Sequence, residues 1–146
     1  KVGLEAEVEL IEKTFETNFL GAVKLTKALS PLLKKSDRAR IVNVSSSLGS
    51  LHINGDPKSP MAGSGFIGYN CSKAALNMFT VITADSFKDS AVKVNSACPG
   101  YVATDINDNQ GYRTVEQGAA IIVKLATLDE KGPSGKFFND DGEVPW

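Results

Sequence analysis

The segment Ala39-Arg40-Ile41-Val42-Asn43-Val44 decides the fold class, because a short run rich in β-branched residues predicts a buried strand. Ser45-Ser46-Ser47 follows it, so hydroxyl groups lie at the carboxyl end of that strand. Residues 92–98 (VKVNSAC) predict a second strand, which Pro99-Gly100 closes with a turn. Open α/β sheets bind ligands at such strand ends. The sequence therefore predicts a site where residues 45–47 and 99–100 meet.

Apolar residues around the two strands repeat at helical spacing. One helix is indicated by Val8, Ile11, Phe15, Phe19, Ala22, Leu25, Leu29 and Leu32, a second by Ala75, Met78, Phe79 and Ile82, and a third by Val115, Ala119, Ile122, Val123 and Ala126. Thr114-Val115-Glu116-Gln117 predicts a capping box at the start of the third helix. Strands that alternate with helices imply right-handed crossovers and a parallel sheet. We expect an α/β fold whose first strand has an unpaired edge.

Tyr69-Asn70-Cys71-Ser72-Lys73 carries the chemistry, because a Tyr and a Lys four residues apart share one face of a helix. A neighbouring ammonium group favours the phenolate form of tyrosine. We therefore expect Lys73 to lower the pKa of Tyr69 from about 10 and to make it an acid–base group at neutral pH. The motif YxxxK alone is short and also occurs by chance in helices.

Several motifs in the same order make the chain resemble the short-chain dehydrogenase/reductase family across almost its whole length. They are Asn18 in the first helix, Ser46 after the first strand, Tyr69 with Lys73, and Pro99-Gly100 with Thr104, which matches PGxxxT. The ending, residues 133–142, and the long segment 47–68 resemble the carbonyl-reductase branch of that family.

The resemblance implies a role for each of these residues. Tyr69 would donate a proton to a carbonyl oxygen, Ser46 would hydrogen-bond that oxygen, and Lys73 would hold the ribose of a nicotinamide cofactor. Asn18 would keep a water in line with Lys73, which suits an Asn that needs a hydrogen-bond partner in a helix interior. The catalytic residues implied are Asn18, Ser46, Tyr69 and Lys73, and the cofactor-binding residues are Tyr69, Lys73, Pro99, Gly100, Val102 and Thr104.

The resemblance also implies that residues 1–146 form the C-terminal part of a single NAD(P)-binding Rossmann-type domain, namely its catalytic and substrate side. We expect a partial, doubly wound parallel sheet of three strands flanked by helices, without the family's glycine-rich N-terminal βαβ half. Residues 63–68 spell GxGxxG, but a turn-rich loop rather than a strand precedes them. Without a glycine-rich first turn, we expect residues 1–146 alone to bind a dinucleotide poorly.

Composition predicts an ordinary soluble domain of 146 residues, 42% hydrophobic and 23% charged, with a net charge of −1. This balance argues against nucleic acid as a partner, and no apolar run approaches the ~20 residues that cross a bilayer. Cys71, Cys98 and His52 lack the spacing of a metal site, so we expect no metal. Two unpaired cysteines fit a reducing compartment, and we expect a cytoplasmic protein.

The leading hypothesis is NADPH-dependent reduction of a ketone, aldehyde or quinone to an alcohol, by hydride transfer with Tyr69 as proton donor. NADPH rather than NADH follows only from the carbonyl-reductase resemblance. The 22-residue segment 47–68 exceeds the usual α/β connection, and in such relatives it obstructs helix pairing, so a monomer is favoured over a dimer. The alternatives are an NAD-dependent alcohol dehydrogenase, an extended-family epimerase, and a catalytically silent fragment that binds a partner protein through its open sheet edge.

Overall fold

The fold is an α/β arrangement of five α-helices and four strands, known from a computed structural model that describes residues 3–146. The helices are α1 (Val8–Phe15), α2 (Gly21–Leu33), α3 (Leu51–Gly55), α4 (Ile67–Ser86) and α5 (Val115–Ala126). The strands are β1 (Arg40–Val44), β2 (Lys93–Ala97), β3 (Lys136–Asn139) and β4 (Gly142–Glu143). Short 3₁₀ turns cover Gly3–Glu5, Ser47–Gly49 and Asp105–Asn107, and a π-helical segment covers Glu16–Leu20.

The sheet has the strand order β1-β2-β3-β4. The first three strands are parallel, as expected, with Val42 opposite Asn95 and Ser96 opposite Phe137. The two-residue strand β4 is an addition, and it runs antiparallel to β3. A tight turn makes it possible, because the Asn139 side-chain oxygen accepts hydrogen bonds from the backbone of Asp141 and Gly142. Within the described residues β1 pairs on one side only, which confirms the predicted open edge.

Helices cover both faces of the sheet, which confirms the doubly wound architecture. On one face Ile41 and Val94 pack with Phe87 of the α4 end, and Leu33 of α2 joins them. On the other face α5 contributes Ile121 and Leu125, which pack against Ala97, Val42 and Phe138. Side chains of a strand alternate between the two faces of the sheet. The neighbouring residues Ile41 and Val42 therefore pack into the cores on opposite faces.

A buried network of hydrogen bonds fixes the position of α4 on the sheet. Asn43 of β1 donates to Thr80 Oγ1 at 2.8 Å, and Thr80 Oγ1 lies 2.8 Å from Ser96 Oγ of β2. All three side chains are buried, where an unpaired polar group would cost about 1–3 kcal/mol. This network therefore holds α4, and with it Tyr69 and Lys73, in one register over the two strands.

The first predicted helix is continuous from α1 to α2, but its hydrogen-bond pattern is not α-helical throughout. The π-helical segment Glu16–Leu20 interrupts it and contains Asn18. Aromatic edge contacts run from Phe15 to Phe19 at 6.4 Å and from Phe19 to Phe79 of α4 at 6.2 Å. Such isolated π segments frequently occur at functional sites, and this one faces the helix that carries Tyr69.

The segment 47–68 is more ordered than the plain loop that the sequence indicated, because it contains the 3₁₀ turn and α3. Ser50 caps α3, and its hydroxyl accepts a hydrogen bond from the Ile53 amide at 3.1 Å. The same hydroxyl donates to Pro145 O at 2.7 Å, and the His52 amide donates to Trp146 O at 2.9 Å. The C-terminal residues therefore hold the first part of the segment against the sheet.

Candidate active site

Ser46, Tyr69 and Lys73 converge at the carboxyl end of β1. The Ser46 hydroxyl lies close enough to the Tyr69 phenol to lower its pKa through a side-chain hydrogen bond. Lys73 Nζ lies 5.6 Å from the centroid of the Tyr69 ring, within the range of a cation–π contact. The same ammonium donates to Val44 O, the last carbonyl of β1, at 2.8 Å. The structure thus brings together three of the four residues predicted to be catalytic, although they come from positions 27 residues apart.

Gly49 permits this convergence by letting the turn after β1 touch α4. A Cβ atom at Gly49 would lie 2.7 Å from both the carbonyl carbon and the Cβ of Lys73. Real Cβ atoms do not approach this closely, so only glycine fits between the 3₁₀ turn and the backbone of α4. The contact sets the distance between the Ser46 turn and the Tyr69 helix.

The pKa of Tyr69 is raised, not lowered as the sequence suggested. Burial of the phenol is the largest cause, because it disfavours the charged phenolate. The hydrogen bond from Ser46 acts in the opposite direction, and the Coulombic interaction with Cys98 raises the pKa further. Lys73 is near the ring, but its charge does not offset the effect of burial. A raised pKa keeps Tyr69 protonated at neutral pH.

The pKa of Lys73 is lowered, mainly because burial disfavours the ammonium, while the Coulombic interaction with Cys98 acts to raise it. Burial therefore pushes both Tyr69 and Lys73 toward their neutral forms. The sequence argument missed this because it considered the charge of Lys73 without the desolvation of the pair.

Cys98 links the two strand ends that carry the site. Its sulfur accepts hydrogen bonds from the Ser47 amide at 3.3 Å and from the Ser47 hydroxyl at 3.2 Å. Its own amide donates to Phe138 O at 2.8 Å. Because Pro99 and Gly100 follow directly, Cys98 couples the turn that contains Ser46 to the turn that follows β2.

Asn18, the fourth predicted residue, contacts α4 directly. Its Nδ2 donates to Ser72 Oγ at 3.0 Å, and Ser72 Oγ in turn donates to the carbonyl of Tyr69 at 2.8 Å. The hydrogen-bond partner expected for an Asn within a helix is therefore Ser72, one residue before Lys73. Asn18 and Lys73 also line one cavity of 420 Å³ that extends along the open edge of β1.

The turn after β2 contains the predicted cofactor contacts Pro99, Gly100, Val102 and Thr104. Gly100 has a φ of +77°, a conformation that favours glycine. Val102 forms an isolated parallel bridge with Arg113. Asn107 fastens the end of the turn, because its side chain donates to Val102 O at 2.8 Å and accepts from the Thr104 amide at 3.1 Å.

Two residues that support this turn were not found by sequence reasoning. The Arg113 side chain packs on Gly100, and its Nη2 donates to Gln117 O at 2.9 Å. The same Nη2 forms an ion pair with Asp140 in the turn between β3 and β4. No motif marks this pair, since its members lie 27 residues apart. Ser72, by contrast, lies inside the quoted YxxxK stretch and could have been inferred as a partner for Asn18.

Other predicted features lie away from this site. Gly63 to Gly68 of the GxGxxG sequence lie between turns and the start of α4, with no strand before them, so the dinucleotide interpretation stays rejected. Over residues 3–146 no group of three or more His, Cys, Asp or Glu side chains could hold a metal ion. None of the helices that the structure describes is long and apolar enough to cross a membrane.

Comparisons with known proteins agree with the order of these elements. A family model described as short chain dehydrogenase matches residues 2–114. The (+)-neomenthol dehydrogenase of Capsicum annuum is 34% identical over 93% of this chain and 53% of its own length. The structure of salutaridine reductase from Papaver somniferum is 35% identical, with a TM-score of 0.74 over 90% of this chain and 55% of that one.

A carbonyl reductase is also among the structural neighbours, which agrees with the resemblance found in the sequence. Carbonyl reductase Sniffer of D. melanogaster is 28% identical, with a TM-score of 0.80 over 97% of this chain and 59% of that one. The chain thus spans about half the length of the curated relatives it matches. Since the family model covers most of its residues, the chain belongs to the short-chain dehydrogenase family.

Proposed function

We propose that the protein reduces a carbonyl group of a small molecule to an alcohol, with NADPH as cofactor and Tyr69 as proton donor. The observation that carries this proposal is the meeting of the Ser46 hydroxyl, the Tyr69 phenol and the Lys73 ammonium at the end of β1. A protonated phenol beside a second hydroxyl can hold one carbonyl oxygen with two hydrogen bonds.

The proposed step begins with the substrate oxygen between Ser46 and Tyr69. A dihydronicotinamide held beside these residues would supply the hydride that the carbonyl carbon accepts. Tyr69 passes its phenolic proton to the oxygen, and Ser46 stabilises the charge that develops there. The lowered pKa of Lys73 favours release of a proton toward the phenolate. Asn18 and Lys73 line one cavity, and water that enters it would return a proton to Lys73.

The residues present fit the nicotinamide half of the cofactor. The Lys73 ammonium has three N–H donors, and its bond to Val44 O uses one of them. The remaining donors suit ribose hydroxyls. Arg113 packs against Gly100, and Asn107 hydrogen-bonds Val102 O. These contacts fix the turn 99–104 in advance, and its backbone is then available to the carboxamide. We propose that Tyr69, Lys73, Pro99, Gly100, Val102 and Thr104 bind this half, and that residues 1–146 form the C-terminal part of one NAD(P)-binding domain.

A monomeric, cytoplasmic protein is the form we propose. The segment 47–68 packs on one flank of α4, where Asn70 donates to Ser64 O at 2.7 Å, so it restricts the approach of a second copy to that flank. Cys71 and Cys98 are both free thiols, which suits a reducing compartment. Light scattering of the protein at micromolar concentration tests the monomer, and a dimer mass would contradict it.

The test of function is NADPH oxidation with a panel of ketones, aldehydes and quinones. General acid catalysis contributes about 10²–10⁴-fold, so we expect Tyr69→Phe to lower kcat by that order. Tyr112→Phe is the control, because Tyr112 is exposed and keeps its ring contact with Tyr101. Wild-type turnover that persists in Tyr69→Phe would refute the proposed role of the phenol.

A second candidate is a silent protein that binds a partner through the open edge of β1. The observation that favours it is the row of exposed apolar side chains on α2 beside this edge, namely Leu25, Leu29 and Leu32. Long exposed edges with apolar surroundings favour association. Intact mass of the protein from its source, measured together with turnover, separates the two. A mass equal to that of the 146 residues with no turnover would favour the second candidate.

A further inference from the structure

A cavity of 530 Å³ lies on the flank of α4, and neither Ser46, Tyr69 nor Lys73 lines it. Its walls are mostly apolar and include Leu48, Leu51, Ile67 and Ala74, with Gly63 and Gly65 at the loop side. Pockets that hold small molecules typically measure about 300–1,000 Å³ and combine apolar walls with a few polar groups. The cavity has the size and the lining of such a pocket.

The cavity faces a different side of α4 from the proposed catalytic pair. Tyr69 and Lys73 share one side of the helix, whereas Asn70 and Ala74 share the side about 100° further round. Asn70 and Ala74 line the cavity, and Ser46, Tyr69 and Lys73 do not. A molecule bound there would therefore contact the back of the catalytic helix, without occupying the place between Ser46 and Tyr69.

Asn70 gives the cavity a specific polar requirement. Its Nδ2 donates to Ser64 O at 2.7 Å and to Asn54 Oδ1 at 3.3 Å. These two acceptors fix the orientation of the amide, because the flipped amide would place oxygen against oxygen. Its Oδ1 is then buried without a hydrogen-bond partner among the described residues. A buried acceptor without a donor costs about 1–3 kcal/mol, so a small rotation of the Asn70 amide that opens Oδ1 to the cavity would let a ligand with an O–H group relieve this cost.

The other polar groups of the cavity favour a neutral ligand with one donor. Asn54 Nδ2 is occupied, since it donates to Leu48 O at 3.0 Å and to Ser50 O at 2.7 Å. No Asp, Glu, Lys or Arg is among the described residues that line the cavity. A charged ligand would lose its hydration there without compensation.

We propose that this cavity is a second ligand site, which binds a small neutral alicyclic or aromatic alcohol. The hydroxyl group of the ligand donates to Asn70 Oδ1, and its hydrocarbon body packs against Leu48, Leu51, Ile67 and Ala74. The site goes beyond the proposed reduction, because neither the cofactor nor the catalytic residues take part in binding.

Cys71 provides a direct readout, because this exposed thiol lines the cavity whereas Cys98 is buried. The experiment measures the rate of Cys71 alkylation by iodoacetamide in the full protein without cofactor, by peptide mass spectrometry. The probe is 4-tert-butylcyclohexanol, and its methyl ether is the matched molecule that lacks the O–H donor. We expect the alcohol at saturation to slow alkylation at least five-fold, and the ether to need about ten-fold higher concentration for half protection, which corresponds to about 1.4 kcal/mol.

Variants of α4 separate this site from the catalytic cleft. We expect Ala74→Leu to abolish protection, because a larger side chain fills the cavity. Met78→Leu, one turn further along and outside the cavity, should behave like the wild type. Equal protection by alcohol and ether, unchanged protection in Ala74→Leu, or no protection at all would each overturn the proposal. Because no turnover is measured, these outcomes are independent of the reductase proposal.

Discussion

Arg113 occupies the space in which Gly100 would otherwise carry a side chain. A Cβ atom at Gly100 would lie 2.6 Å from Arg113 Cδ. Arg113 is also paired with Asp140, so the turn after β2 is held to the turn between β3 and β4. The side chain thus acts as a positioning residue for the segment that we propose to contact the nicotinamide half of the cofactor.

We expect Arg113→Met to weaken NADPH binding while it changes kcat little. A hydrogen bond to a charged group contributes about 1.5–3 kcal/mol, but this pair is partly exposed, so we expect the KM for NADPH to rise about ten-fold. Steady-state kinetics of the full protein measures both constants. Arg38→Met is the control, because Arg38 is exposed and distant in the sequence from the turn. A drop in kcat with an unchanged KM would contradict the positioning role.

Gly49→Ala should lower both stability and turnover. The added methyl group would meet the backbone of α4 at Lys73, and such overpacking typically costs about 1–3 kcal/mol. Urea unfolding gives the loss of stability, and the kcat of the folded enzyme reports on the separation of Ser46 and Tyr69. Gly55→Ala is the matched control, because a Cβ there meets nothing within 4 Å. Equal behaviour of the two variants would show that the contact at Gly49 can relax.

Cys98→Ser should move the alkaline limb of carbonyl reduction to lower pH. Reduction needs protonated Tyr69, so activity falls as the pH rises through the pKa of that phenol. The Coulombic interaction with Cys98 raises this pKa, and removal of the sulfur therefore lowers it. The pH profile of kcat/KM measures the shift. Cys71→Ser, at the other free cysteine, should leave the limb in place. A limb that moves upward in Cys98→Ser would refute the electrostatic coupling.

Ser72→Ala should destabilise the protein by about 0.5–1.5 kcal/mol, because it removes the acceptor of the Asn18 amide. Chemical unfolding measures this difference. Ser86→Ala on the same helix removes only an exposed hydroxyl that bonds Ile82 O, so we expect a change within about 0.5 kcal/mol. If both variants lose the same stability, the bond between Asn18 and Ser72 makes no specific contribution.

The sequence predicted the parts of the fold that depend on local pattern. Residues 40–44 and 93–97 are strands, as the two short buried runs closed by turn residues predicted, and Thr114 with Gln117 forms the expected capping box. The order of Ser46, Tyr69 and Lys73 was sufficient to place them at one strand end. These features follow from spacing along the chain, which is directly visible in a sequence.

Features that depend on tertiary contacts could not be predicted in this way. The pair Arg113 and Asp140 forms only because β3 and β4 return beside the turn at Gly100. The π-helical segment at Asn18 has no periodic signal of its own. The pKa of Tyr69 depends on how deeply the phenol is buried, and this burial follows from the packing of several elements rather than from the YxxxK spacing.

The rings of Phe137 and Trp146 are stacked, with centroids 5.6 Å apart. This pair offers a way to observe the contact between the C-terminal residues and the segment 47–68. Trp146 is the single tryptophan of the sequence, so its fluorescence comes from one place only. The Trp146 carbonyl accepts the His52 amide, and release of the segment 47–68 would expose the indole to water. If the Trp146 emission shifts to the red before the helical circular dichroism signal is lost, the segment 47–68 opens before the protein unfolds. The measurement needs no added label.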